Sequence, residues 1–188
     1  MLSKSLDINL TLGQRILFDP LSWIDSGWVK VPVCFSQGRC RGVINEAILT
    51  SLDLSTPSDI CSPSELTQLF ANQWYLLRKS AFLIACQRYR ANLACRGRLQ
   101  CLPDNIKQFA QLEILTSKYQ QGEKLLTIDK IPDLALRELL PFCQALPRWL
   151  QQRVPLLFPP VLDSSTGDLP GADTALLRLA IQHAKRTP

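Results

Sequence analysis

The 188-residue sequence predicts a mainly α-helical protein, a single compact helical domain with proline-rich connectors and little or no β-structure. Three observations carry that expectation. Apolar residues recur at three- and four-residue spacing through Arg41–Leu52, Leu66–Leu77, Pro132–Ala145 and Ala172–Lys185. Helix-start chemistry recurs at Asp19-Pro20, Ser62-Pro63, Pro103-Asp104 and Pro147, where a short polar side chain or a proline suits the first turn. Trp28–Phe35 reads as extended and is the main strand candidate, and Pro32 confines it to an edge or a loop.

Taken in order, residues 1–14 read as a loosely attached, variable N-terminal arm, followed by one domain over 15–186. Asp19 is expected to cap a short helix over about Pro20–Asp25. Val43, Ile44, Ala47, Ile48 and Leu52 mark the next helix. Ser55–Pro63 is a loop. In Ser62-Pro63-Ser64-Glu65, Ser62 is placed as N-cap and Glu65 as its capping-box partner. A break is expected near Leu77–Ser80, then a helix over about Lys79–Cys95 with Phe82, Cys86, Tyr89 and Leu93 inward, ended by Gly97. Another helix starts at Pro103-Asp104 and places Ile106, Phe109, Ala110 and Leu112 on one face; Ser117–Lys124 is a polar connector. Pro132–Ala145 and Pro147–Arg153 read as helices, with Pro141 kinking or ending the first. Three prolines make Val154–Val161 an extended, rigid segment. After the turn-rich Asp163–Gly171, Ala172–Lys185 is the last helix, its terminal Lys185-Arg186 suited to the helix dipole.

The charge is unevenly placed. Leu66–Pro103 holds Arg78, Lys79, Arg88, Arg90, Arg96 and Arg98 and no Asp or Glu. The chain has 21 basic and 16 acidic residues, so without this stretch its net charge would be slightly negative rather than +5. An acid-free face of this kind suits a negatively charged or polar partner, although a solvated helical surface looks the same in sequence. Hydrophobic content of 46% is enough for a core and excludes wholesale disorder. The longest apolar runs, Ala81–Cys86 and Pro155–Leu162, fall far short of the ~20 residues of a membrane span. Met1–Arg15 lacks the apolar core of a signal peptide, which makes the cytoplasm the expected compartment.

Recognisable chemistry is sparse. There is no phosphate-binding glycine loop, no GxSxG elbow, no HExxH and no close carboxylate pair. The seven cysteines (34, 40, 61, 86, 95, 101 and 143) include no Cys-x-x-Cys, and the one histidine, His183, lies on the last helix. Reduced, mostly buried thiols and no metal, cofactor or catalytic residue are therefore expected. His183 reads as a half-buried surface residue. Trp23, Trp28, Trp74 and Trp149 read as core more than interface, and Val154–Val161 as a connector whose Leu and Phe fill the core.

The succession RILFDPLSWI, LTQLFANQW with AFLIACQRYRANLACRGRLQCLPD, QRVPLLFPP and LLRLAIQHAKR resembles the OrgA/MxiK family, the SctK-type accessory proteins of bacterial type III secretion injectisomes, and within it most resembles the OrgA branch. The blocks stand in family order from Arg15 to Arg186; no single block is specific, but Phe18-Asp19-Pro20, the combination of Leu66–Trp74 with Arg90-Ala91-Asn92-Leu93, and Pro155–Pro160 together are. The N-terminal arm and Thr116–Lys130 do not share the likeness. The resemblance implies a mainly helical, non-enzymatic adaptor of the cytoplasmic sorting platform, peripheral to the inner membrane and not inserted in it. It would link the cytoplasmic domain of the inner-membrane ring protein to the switch-like pod (SctQ-type) protein, and indirectly reach the ATPase and its stator, with no cofactor and no nucleic acid. Arg88, Arg90, Arg96 and Arg98 are the expected contributors to one partner face. The rival readings are a nucleic-acid-binding regulator using the Arg78–Arg98 segment, and an enzyme whose site is dispersed along the chain.

Overall fold

A computed structural model of the chain describes residues 11–32, 35, 38–57, 63–114, 130–160 and 169–186, with backbone alone at Arg39 and Arg96. Nine α-helices lie among them, and no strand: α1 (Leu12–Phe18), α2 (Gly38–Ser51), α3 (Glu65–Asn72), α4 (Trp74–Arg88), α5 (Arg90–Ala94), α6 (Asp104–Ala110), α7 (Ile131–Cys143), α8 (Arg148–Gln151) and α9 (Thr174–Arg186). The mainly α fold class stands. Within Trp28–Phe35, expected as an extended element, residues 29–32 form neither strand nor helix. The chain falls into two compact units, Met1–Trp74 with Ala145–Pro160, and Tyr75–Gln144 with Val161–Pro188.

In the first unit, α1 begins inside the stretch expected to be a loose arm. Thr11 and Gln14 form a reciprocal capping box, with the Thr11 side chain accepting from the Gln14 N–H and the Gln14 side chain from the Thr11 N–H. The helix packs against α2, α3 and the 3₁₀ turn Pro20–Ser22, burying Ile16 and Leu17. Asp19 does not cap that turn. Its carboxylate instead accepts from the Arg41 guanidinium (Nη2 to Oδ2, 2.8 Å) and from Asn45 Nδ2 (2.7 Å). Asn45 Oδ1 in turn accepts from the Leu21 N–H at 3.1 Å, so the cap is supplied by a neighbouring helix rather than by the local aspartate. Helix α2 buries Asn45 and Ile48 and leaves Val43 exposed. It ends in a Schellman arrangement: Leu54 N donates to Leu49 O, Asp53 N donates to Thr50 O, and Asp53 adopts φ 47°. Trp23 and Trp74 meet edge to face with ring centres 5.4 Å apart.

Arg153 is the interior organiser of this unit. Its side chain is fully buried and donates Nε to Ile16 O (3.2 Å), Nη2 to Leu17 O (3.2 Å), and Nη1 to Ser55 O and Trp149 O (both 2.9 Å). The last carbonyls of a helix have no partner within it. Here the shortage is specific: the residue four after Ile16 is Pro20, which has no N–H, and the N–H four after Leu17 belongs to Leu21 and is held by Asn45. Gln152 ties the end of α2 to the same place, accepting from the Ser55 N–H at 2.8 Å and donating to Asp53 O at 3.0 Å. Residues 154–160 are not extended throughout as expected. Pro155–Leu157 is a 3₁₀ turn, and Leu156, Leu157 and Phe158 are buried, in keeping with a core-filling connector.

The second unit takes all of α4 but Trp74, and the interruption expected near Leu77–Ser80 is absent from it; the break comes earlier, at Gln73, where α3 of the first unit ends, and α4 runs unbroken to Arg88. In the first unit, Ser62, the expected cap of α3, lies outside the described residues; Ser64 is the N-cap and accepts from the Thr67 N–H at 3.2 Å. Tyr89 separates α4 from the short α5, and a 3₁₀ stretch, Cys95–Cys101, follows. Gly97, with φ 69°, sits inside that stretch and supplies a left-handed turn rather than a helix end. Pro141 is accommodated within α7, which stops two residues later at Cys143. Helix α9 buries Leu176, Leu177, Ala180, Ile181 and Ala184 along one stripe, and Asp173 Oδ1 accepts from the Leu176 N–H at its start. The polar connector Ser117–Lys124 and residues 163–168 lie outside the described residues.

Candidate partner-binding surfaces

The four arginines singled out in the sequence do not share one face. Arg88, at the end of α4, has a side chain only 2% exposed, and its Nε lies 2.8 Å from Glu138 Oε2 on α7. This is a correction: an arginine consumed by a buried carboxylate is part of the interior, not of a docking surface. Burial pushes the Glu138 carboxyl up from 4.5 to about 7, against the attraction of Arg88 and Arg137, and Asp173 adds to the rise. Desolvation therefore outweighs the ion pair. Arg90, two residues on, is exposed and reaches the Leu112 carbonyl at 3.4 Å. Arg98 is half-exposed in the 3₁₀ stretch, and the backbone of Arg96 lies beside it.

The other end of α4 carries a second basic region. Arg78 is exposed, and Lys79 Nζ donates to Ala184 O at 3.3 Å, which sets it beside the last turn of α9 with Lys185 and Arg186. No signal in the sequence joins Lys79 to Lys185-Arg186. His183 is half-buried as expected, its Nε2 2.8 Å from Asn105 O and its ring 5.2 Å from that of Phe109.

The first unit offers different chemistry. An open groove of about 560 Å³ is lined by Leu21, Ile24, Val29, Val31 and Pro32, with Ser26, Lys30 and Arg41 as its polar members. An apolar floor beside a lysine suits an apolar side chain next to a carboxylate. Three of the tryptophans are buried, whereas Trp28 is 38% exposed and donates its indole N–H to Phe158 O at 2.7 Å. The sequence motifs do not mark this groove.

Net charge follows the units. The first has seven basic and seven acidic residues; the second has fourteen and nine. All of the +5 resides in the second unit.

Among the described residues no cluster of His, Cys, Asp or Glu has the makings of a metal site. The described cysteines are less buried than expected: Cys86 is interior, Cys143 half-buried, and Cys40, Cys95 and Cys101 are exposed. Burial pushes the Cys86 thiol up to about 12 and the Cys143 thiol up to about 11, so neither supplies a thiolate nucleophile near neutral pH. No described helix is long and apolar enough to cross a membrane.

Comparison with known proteins agrees with the resemblance read from the sequence. Residues 13–186 match the family described as "Bacterial type III secretion apparatus protein (OrgA_MxiK)". The chain is 33% identical over 184 residues to the oxygen-regulated invasion protein OrgA of Salmonella typhimurium strain LT2, covering 94% of this chain and 88% of that protein. The same identity and coverage hold for OrgA of strain SL1344. The protein YgeO of Escherichia coli strain K12 is 33% identical over 119 residues, covering 61% of this chain and 82% of that one. No solved structure matches. The family match spans both units and every block from the Phe18-Asp19-Pro20 turn to α9, and on that ground the chain belongs to the OrgA/MxiK family of bacterial type III secretion apparatus proteins.

Proposed function

We propose that this secretion-apparatus protein is a non-enzymatic adaptor of the injectisome sorting platform. It links the cytoplasmic domain of the inner-membrane ring protein to the switch-like, SctQ-type pod protein at the cytoplasmic face of the inner membrane, and through the pod it supports the ATPase and stator. The observation that carries this reading is the chemical difference between the two units. One is neutral overall and bears an open apolar groove; the other holds the whole net charge. An adaptor needs two surfaces that two partners do not confuse, and charge against apolarity is the cheapest such distinction. In this reading Arg90, Arg96 and Arg98 contribute to one partner face, and Arg88 supports the helix that presents it.

The test is co-purification of the tagged chain with the products of neighbouring genes. Recovery of a ring-protein cytoplasmic domain and a pod protein is expected. Reversing Arg90, Arg96 and Arg98 to Glu should weaken retention of one partner by about tenfold or more, chiefly through slower association, and leave the other bound. Retention of both partners by that variant would remove the three arginines from the interface. Recovery of nucleic acid alone, lost on raising salt, would favour the regulator reading instead.

A further inference from the structure

Two helices of the second unit that are free of acidic residues meet at the start of α4. Helix α4 carries no Asp or Glu, and neither does α9 from Thr174 to Arg186. The 3.3 Å contact between Lys79 Nζ and Ala184 O fixes the first turns of one against the last turn of the other. Tyr75, Arg78, Lys79 and Phe82 follow one another at three- and four-residue spacing on α4. Tyr75 is 47% exposed, Arg78 is exposed, and Lys79 and Phe82 are half-buried. Lys185 and Arg186 are both exposed. Arg78 and Arg88 are ten residues apart on the helix, about 15 Å along its axis, so this patch is separate from the Arg90–Arg98 region.

We infer that Tyr75, Arg78, Lys79, Phe82, Lys185 and Arg186 form a docking site for an acidic segment of a protein partner. Charge complementarity names the occupant. Four cations and two aromatic side chains are brought to one place by the α4–α9 contact, and arginine with tyrosine is the combination that anchors protein interfaces. Lys79 is held in place by a helix-end carbonyl, so less ordering is needed when a carboxylate arrives. An anionic bilayer fits less well, because four cations alone give only about millimolar partitioning. The apolar stripe of α9, which a membrane-surface helix would insert, is already buried. The inference rests on the adaptor reading only for which protein supplies the segment.

The test uses the full chain and a fluorescein-labelled peptide of about ten glutamates, followed by anisotropy. Binding is expected, weakening severalfold between about 50 and 300 mM salt. Arg78→Glu, and separately Lys185→Gln with Arg186→Gln, should each weaken it about tenfold, and Arg148→Glu, at an exposed arginine of the other unit, should leave it unchanged. If Arg78→Glu lowers the melting temperature, Arg78→Gln takes its place and should weaken binding severalfold. Absence of peptide binding, equal binding by these variants, or capture by vesicles of 30% phosphatidylglycerol without capture by the peptide would each overturn the inference. Co-purification separates the two proposals: loss of every apparatus partner from the wild-type chain sinks the adaptor reading, whereas partners retained equally by wild type and the Arg78 variant sink only this one.

Discussion

Replacing Arg153 with Met is expected to lower stability by about 3–5 kcal/mol. Met fills much of the same volume and donates nothing. Three buried carbonyls, those of Ile16, Leu17 and Trp149, and the part-buried one of Ser55 then lose a charged donor. The Ile16 carbonyl has no replacement within its helix, because Pro20 stands where the next N–H should be. Leaving such groups unpaired costs roughly 1–3 kcal/mol each where water cannot reach them. Burial draws the Arg153 guanidinium down to about 10, which still leaves it cationic at neutral pH, so all of its donors are available. Arg153→Lys should also be costly, since one ammonium has neither the reach nor the planar fork to serve four carbonyls. Thermal unfolding followed by circular dichroism checks this. A fall in Tm of about 10 °C or more is expected for Met, with at least half of that for Lys. A change under about 2 °C for both would mean that the carbonyls find other donors.

The second large effect is at the buried pair of Arg88 and Glu138. Removing either side chain alone is expected to cost about 3–5 kcal/mol, because the survivor is left buried and uncompensated. Replacing both, as Arg88→Met with Glu138→Leu, should recover most of that loss. A pH signature separates this pair from ordinary packing. The folded-state pKa of Glu138 is raised from 4.5 to about 7, so between those values the folded protein holds a proton that the unfolded chain has released. Stability from this group is then greatest below pH 4.5 and is lost as pH rises towards 7. Gln at position 138 has no proton to lose. The penalty of Glu138→Gln relative to wild type should therefore shrink by up to about 3 kcal/mol between pH 5 and pH 8. Urea unfolding of both proteins across that range gives the difference directly, and a pH-independent penalty would show that the carboxylate is ionised throughout.

Local signals and long-range ones fared differently in the sequence. Helices α2, α7 and α9 were legible because each is long enough for its apolar stripe to repeat over several turns. Helix α1 was missed although Thr11 and Gln14 spell a capping box, because Gly13 and the polar residues around it hide a seven-residue helix. The break before α4 was misplaced. Arg78 and Lys79 read as the end of an apolar face, yet they are the outward residues of a helix that continues inward through Leu77 and Ala81. Asp19 carried the residue type of an N-cap, and only tertiary structure sends its carboxylate to Arg41 and Asn45. Arg88 looks in sequence like Arg90. What separates them is Glu138 on a distant helix, and no local pattern encodes that meeting.

The same logic explains why the family blocks go together. Phe18-Asp19-Pro20 ends α1 and strips the Ile16 carbonyl of its partner, and the Arg153 of QRVPLLFPP supplies the missing donor. Two blocks that look independent along the chain are one structural device. The basic end of α4 and the last turn of α9 are joined similarly, through Lys79 and Ala184.

The most direct measurement of the adaptor claim is made in the native host. The gene is deleted in frame, the pod protein carries a fluorescent tag, and secreted substrates are measured in the medium. Loss of secretion together with dispersal of membrane-associated pod foci into the cytoplasm, both restored by the wild-type gene, is the expected result. Pod foci that persist at the membrane with secretion intact in the deletion strain would contradict the adaptor role.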